Sequence, residues 1–430
     1  MKSFASFLLF LFFCFSGIAQ TQKEFYTKKL NTYFSKDHKI DNYVSIGDYG
    51  IAIISPDSVK VPGSRPEIVL NWRDVNKLVP VISTISETEL KKLLIDKRDS
   101  FNYYFQKDTI RSKEQLHSLN GMKIAIDPGH IGGAYHMGET ESRCMTLVIP
   151  QPLIRGEDSV KQIQMVEGNF SFFTALILKH KLDSMGAQVM LTRSDTGVSS
   201  LGITFFEWKK KIKHKDYVDS LEKNNLISDK GLNLLKKHLD DKQLFAQVFA
   251  SVDMANRAKK INAFQPDLTV VIHYNVNEKN AGWNHTTDKD YVMTFVPGCV
   301  TSEDMNKLAG RLNFLRLLLS NDIENSVKLS SAVVKKLSTK LNVPIAQKDD
   351  ATYLGQACLT TPEKGVYARD LALTRLIKGP LVYGEPLYQD NNTECFLLTA
   401  QDDTVNGFSV SKRIELVAEA YFEGIVEYIR

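Results

Sequence analysis

The sequence predicts an α/β protein, a twisted sheet flanked by helices, and three observations carry that expectation. Short apolar runs, Lys123–Ile126, Leu268–Ile272 and Pro380–Tyr383, read as buried strands. Longer segments with helical periodicity lie between them. Each strand-like run ends in a side chain able to bind metal or move a proton: His130 past the Asp127-Pro128-Gly129 turn, His273, and Glu385. In open α/β sheets the chemistry gathers at the carboxyl ends of the strands.

The first run lies in Met122–Gly133, MKIAIDPGHIGG. Proline lacks a donor and glycine permits a sharp turn, so the strand stops at Asp127-Pro128-Gly129 and delivers His130 just beyond. A fourth candidate, Glu167, opens an apolar helix expected from about Asn169 to Met185 and stopped by Gly186. Two histidines, a carboxylate and a spare carboxylate are the donor set of a catalytic zinc site. Asp127 either holds a ligand histidine in one tautomer or caps its turn. Asn275 either orients a peptide or caps its own turn.

These residues resemble a family. DPGHIGG, EGNFSFFTALILKHKL, GAQVMLTRSD, PDLTVVIHYN and GVYARDLALTRLIKGPLVYGE are similar, in that order, to the zinc-dependent N-acetylmuramoyl-L-alanine amidases of bacterial cell walls. The similarity covers about residues 121–430 and leaves large insertions at about 131–166, 201–245 and 278–325. The resemblance implies a phosphorylase/hydrolase-like sheet. It also implies a Zn²⁺ ion on His130, Glu167 and His273, with Glu385 as acid/base. The substrate would be peptidoglycan or a muropeptide, cut between N-acetylmuramic acid and L-alanine. Two other readings stay open: a non-catalytic wall-binding or regulatory relative, and a same-fold metallo-hydrolase cutting a stem-peptide amide.

The segment 131–166 supplies rival carboxylates, Glu139, Glu141 and Glu157, together with His136. Glu167 is preferred because a helix start holds a ligand rigidly, and Glu141 is the runner-up. Pro150, Pro152 and Gly156 make much of this segment irregular, and its origin in the first ligand loop places it across the cleft. An activator protein that moves it is a candidate partner. Residues 201–245 are lysine-rich and read as two or three amphipathic helices with a solvated charged face. Phe249–Phe264 reads as a helix with Arg257 and Lys259-Lys260 outward. His285 reads as a loop residue. Asn325–Leu341 and Ser411–Ile429 read as further helices.

The rest of the chain sets the context. Its 430 residues, 43% hydrophobic, suffice for two cores, and 54 basic against 50 acidic residues give no sign of a nucleic-acid binder. Residues 1–19 read as a signal peptide, with Lys2, a greasy Phe7–Phe15 core and small residues at Gly17-Ile18-Ala19. The protein is then exported to the periplasm or beyond, without a stable membrane span after cleavage. Cys14 follows Phe12-Phe13 where a lipidation site would have small residues. Cys144, Cys299, Cys358 and Cys395 remain, either paired or as buried thiols. Residues 20–117 read as a small α+β accessory domain: a Tyr43–Ile54 hairpin, a Glu67–Trp72 strand and a Glu87–Arg98 helix. Residues 118–430 then form the catalytic domain.

Overall fold

A seven-stranded mixed sheet organises the chain, in the order β10-β11-β9-β12-β8-β4-β7. Its strands are β4 (Lys123–Pro128), β7 (Gln188–Leu191), β8 (Leu268–Ile272), β9 (Met293–Pro297), β10 (Cys358–Thr360), β11 (Val366–Arg369) and β12 (Leu381–Glu385). The computed structural model describes residues 21–61, 63–96, 118–149, 161–280, 282–405 and 407–430. The signal-peptide reading, Glu157 and the turn residues Pro150, Pro152 and Gly156 lie outside the described residues.

β12, β8, β4 and β7 run parallel as neighbours. Val270, Val271 and Ile272 of β8 are wholly buried, as expected of a central parallel strand covered on both faces. On one face lie the helices Glu167–Ser184, Asp322–Leu341 and Lys412–Ile429, packed on each other and on the sheet. On the other lies Ala250–Phe264, whose Ala258 and Ile261 meet Ala125, Val271 and Leu381. The parallel register brings the carboxyl ends of β4, β8 and β12 side by side. Backbone bonds continue past the strands: Gly129 donates to the Ile272 carbonyl at 2.9 Å and His273 to the Gly384 carbonyl at 3.0 Å.

The insertions are more ordered than their composition suggests. Between His130 and Glu167 stand a helix, Tyr135–Glu141, and an antiparallel hairpin, Cys144–Ile149 with Lys161–Val166. Residues 201–245 hold four short helices rather than two or three. Their lysines do face solvent. Beneath them Phe205, Trp208, Leu221, Phe245 and Phe249 close a separate apolar core that also takes in Ile131 and Met137. Arg257 points inward, contrary to the outward placement expected from its neighbours. It is buried because two carboxylates, Asp253 at 2.7 Å and Asp127 at 3.4 Å, wait for it. Cys144, Cys299, Cys358 and Cys395 are unpaired.

The residues before the sheet form a 21–33 helix and a three-stranded antiparallel sheet, Val44–Gly47, Gly50–Ile53 and Ile68–Asn71. The expected Glu87 helix is short, Glu87–Lys91, and continues as a wider turn to Asp96. Ser86 starts it with a reciprocal capping box to Glu89. The apolar core is continuous from Tyr26, Phe34 and Leu70 to the Leu308–Leu319 and Asp322–Leu341 helices. Phe34 meets Phe314 edge-on at 5.1 Å. Arg311 grips Glu67 with two bonds, at 2.6 and 2.9 Å. The Cys299 amide donates to the Tyr33 carbonyl at 2.7 Å. Phe34 is 0% exposed, so Phe34→Ala should cost about 3–5 kcal/mol. Urea unfolding should show one transition moved to lower denaturant; a separate transition of the seven-stranded sheet left in place would disprove a shared core.

Candidate metal centre

Each proposed donor is delivered by the end of a regular element. His130 follows β4 and the Pro128-Gly129 turn, His273 follows β8 directly, and Glu167 is the first residue of its helix. The structure brings these three together: one donor atom from each lies within 4.8 Å of the others. The His273 Nδ1 stands 3.0 Å from Glu167 Oε1, and His130 Nε2 stands 3.7 Å from Glu167 Oε2. The two imidazoles meet edge to face at 4.8 Å. Two nitrogens and one carboxylate oxygen, converging from separate elements, suit a divalent ion such as zinc.

Local packing explains the convergence. A Cβ on Gly129 would stand 1.9 Å from His273 Nε2, so only glycine lets that ring lie over the turn. Tyr383 stacks flat on the other side of His273, with centroids 4.6 Å apart. A Cβ on Gly168 would stand 2.4 Å from the Gly132 amide, which shows how closely the first ligand loop approaches the helix carrying Glu167. Arg193, from the TRSD turn, ties the two together. Its Nε donates to the Pro128 carbonyl at 2.9 Å and its Nη2 to the Gly168 carbonyl at 2.7 Å. Burial, and next the charge of Arg257, pull its guanidinium down to about 9.

Asp127 does not reach a ligand histidine. Its Oδ1 accepts from the Thr192 hydroxyl and its Oδ2 faces Arg257. Glu141 instead meets the histidine: its Oε1 is 3.1 Å from His130 Nδ1, and its carboxylate accepts the Ile131 and Gly132 amides. Glu141 is therefore the partner of a candidate ligand. His136 stacks on Phe206 at 5.5 Å instead of joining the cluster, and Glu139 and His285 are exposed. Asn275 caps its own turn through the Val276 amide and donates to the Tyr353 hydroxyl at 3.0 Å.

The charges respond to burial and to one another. Burial would raise the Glu167 carboxyl, but His130, His273 and Arg143 overcome it and bring it down to about 2. Burial lowers His273, partly offset by Glu167. Glu385, beside the cluster at the end of β12, is raised well above the usual carboxylate range by burial and then by the charge of Glu167. Its Oε2 is buried with no hydrogen-bond partner among the described residues. His130 is the most open of the group, its side chain 24% exposed toward a cavity of about 350 Å³. Gly129, Arg143, His273, Phe245 and Leu371 also line that space.

An α/β sheet that presents a His–Glu–His set and a buried spare carboxylate at its strand ends defines a class, hydrolases built around a candidate metal site. The sequence matches the N-acetylmuramoyl-L-alanine amidase family over residues 124–407, and the chain belongs to that family. It is thus a hydrolase of the amide between N-acetylmuramic acid and L-alanine in peptidoglycan. Among solved structures it is similar to the CwlD amidase of Clostridioides difficile in complex with the GerS lipoprotein. That match is 18% identical, covers 72% of this chain and 98% of that one, and has a TM-score of 0.38. It is also similar to the amidase Ami1 of Mycobacterium abscessus (16%, 72% and 100%, TM-score 0.36). A third is AmiC2 of Nostoc punctiforme (13%, 72% and 98%, TM-score 0.34). No curated protein matches the chain.

Glu167 stands among the candidate donors, whereas Glu141 stands against the Nδ1 side of His130. Glu167→Ala should abolish stoichiometric zinc binding. Glu141→Ala should leave the site in place and weaken binding about 10- to 100-fold, as loss of a group that orients a ligand does. Gly129→Ala should also lose affinity by displacing the His273 ring. Zinc titration of the refolded variants checks all three; tight binding by Glu167→Ala together with none by Glu141→Ala would reverse the assignment.

Proposed function

We propose that the chain is a zinc-dependent amidase in which His130, Glu167 and His273 hold the ion and Glu385 is the acid/base. The observation that carries this reading is the convergence of those three donors beside a buried carboxylate with a free oxygen. Zinc bound there supplies a Lewis acid that lowers the pKa of a water from about 15.7 toward 7.

The protein's own residues do the rest. Glu141 holds His130 through Nδ1, which leaves Nε2 on the side of Glu167. Tyr383 and Gly129 fix the plane of His273. Glu385, ionised when it acts, accepts a proton from the attacking water at its carboxylate and returns it to the alanine nitrogen as the C–N bond breaks. Glu385 is not among the donors that lie within 4.8 Å of one another, which supports a role outside the ligand set. Apolar Phe245, Ala250, Leu371 and Leu373 wall the cavity and exclude bulk water from the reacting amide.

The family's substrate lies outside the cytoplasm, and residues 1–19 provide the export signal this reading requires, so the site of action is the periplasm or beyond. No helix among the described residues is long and apolar enough to cross a membrane. The segment 131–166 borders the cavity through Ile131, Glu141 and Arg143, so an activator that shifts it is the partner this reading admits.

The test is product analysis on purified muropeptides with and without a chelator. Zinc-dependent release of a peptide with a free N-terminal alanine is the expected result. Cleavage inside the stem peptide, or none, would refute the proposal. Glu385→Gln should bind a full equivalent of zinc, fold normally and turn over at least about 10²-fold more slowly. Loss of zinc in that variant would recast Glu385 as a ligand.

A further inference from the structure

Arg143 has no place in the roles assigned so far, yet it stands against the candidate metal ligands. It follows the Tyr135–Glu141 helix and precedes the hairpin, in the insertion between His130 and Glu167. Its Nε donates to His130 Nε2 at 2.8 Å, and its Nη1 to the Ser142 carbonyl at 2.8 Å. Its guanidinium carbon lies 5.2 Å from the centre of the Trp283 ring. Trp283 belongs to a different insertion, so two insertions meet on this one cation. Among the described residues no carboxylate lies within ion-pair distance of Arg143.

A cation here weakens the attraction of any metal ion to His130, because like charges repel. The bond to His130 uses the nitrogen lone pair that a metal would take, so with metal bound the guanidinium would keep only the Trp283 face and the Ser142 carbonyl. That arrangement makes sense where negative charge arrives during the reaction. Arg143 lines the same cavity as His130, His273 and Tyr383. Its charge acts on both Glu167 and Glu385, so it stands near each.

We propose that Arg143 is a catalytic residue that donates N–H to the carbonyl oxygen of the scissile amide as that oxygen becomes an oxyanion. The inference rests on the amidase reading above. Water oxygen bonds to the lactyl carbonyl carbon, the π pair moves onto the carbonyl oxygen, and the guanidinium donates to that oxygen. When the intermediate collapses, the C=O bond re-forms and the C–N bond breaks. The nitrogen lone pair leaves with alanine and takes the proton that Glu385 received from water. A guanidinium fixed before the reaction pays no reorganisation at the moment the charge appears.

The test compares wild type with Arg143→Ala and Arg143→Lys on a purified muropeptide, alongside zinc titration and thermal unfolding. Arg143→Ala should lose about 10²- to 10³-fold in kcat with KM little changed. It should hold its melting temperature and regain part of its rate when millimolar guanidinium is added. Arg143→Lys should fall between, because it keeps the charge and loses the planar fork. Arg143→Ala should also bind zinc severalfold more tightly, since a like charge is gone. Unchanged kcat overturns the role. A loss of rate that tracks a loss of stability, without rescue by guanidinium, also overturns it. An unchanged zinc dissociation constant overturns the placement beside the metal. A wild type that cleaves no muropeptide overturns the amidase reading itself, and with it the role of Arg143. The zinc titration then still reports separately on the placement of the guanidinium.

Discussion

Burying a carboxylate is costly unless donors surround it, and three carboxylates are buried around the first ligand loop. Glu167 is enclosed by the two histidines and by the Tyr274 amide, which donates to its Oε1 at 3.2 Å. Glu141 is satisfied by His130 and two backbone amides. Asp127 is satisfied by Thr192 and Arg257. Arg257 in turn needs Asp253, which accepts from the Ser200 amide and hydroxyl. The chain of compensation therefore runs from the candidate metal donors out to residues 200 and 253. The beginning of the 201–245 insertion is thereby anchored to the site by charge. Removing Arg257 would leave both Asp127 and Asp253 buried without their cation.

Glu385 is the exception that gives this arrangement a direction. Every neighbouring carboxylate is matched by donors, while Glu385 keeps an oxygen with none. Tyr421 presses under its strand so closely that a Cβ on Gly384 would stand 1.9 Å from the tyrosine hydroxyl. That hydroxyl is also without a partner. The C-terminal helix thus holds the backbone of Gly384 in place without satisfying the carboxylate next to it. A fixed backbone beneath an unsatisfied side chain is what a group that must exchange protons with a substrate requires.

The sheet and the candidate donors that it brings together were legible because each rests on a local rule. An apolar run followed by a turn signal marks a buried strand end, and β4, β8 and β12 obey it. Glu167 was legible because an apolar helix begins there. The partner residues were not legible for reasons equally physical. Asp127 and Glu141 are both carboxylates near His130 in sequence, and spacing cannot say which one the chain folds back onto the ring. The helix Tyr135–Glu141 decides it by carrying Glu141 under the loop, where the Ile131 and Gly132 amides await an acceptor. Arg257 was misplaced because a helix with lysines beside it looks solvated, and its buried partners lie 4 and 130 residues away. Arg143 left no signal at all, since its contact with Trp283 joins residues 140 positions apart.

The insertions also change what kind of active site this is. Without them the strand ends would offer His130, Glu167, His273 and Glu385 to an open cleft. The first insertion contributes Glu141 and Arg143 to that edge, the second contributes Phe245 to the cavity wall, and the third contributes Trp283 beneath the guanidinium. Each of these contacts joins an insertion to the ligand loop or to another insertion, so none is a free appendage. A wall built from packed helices and a paired hairpin holds a fixed shape more readily than a bare loop does, because its backbone groups are already satisfied. The first two insertions border a cavity of about 350 Å³ beside His130. The sheet thus presents the candidate donors, while the insertions supply the side chains that pack against and around them.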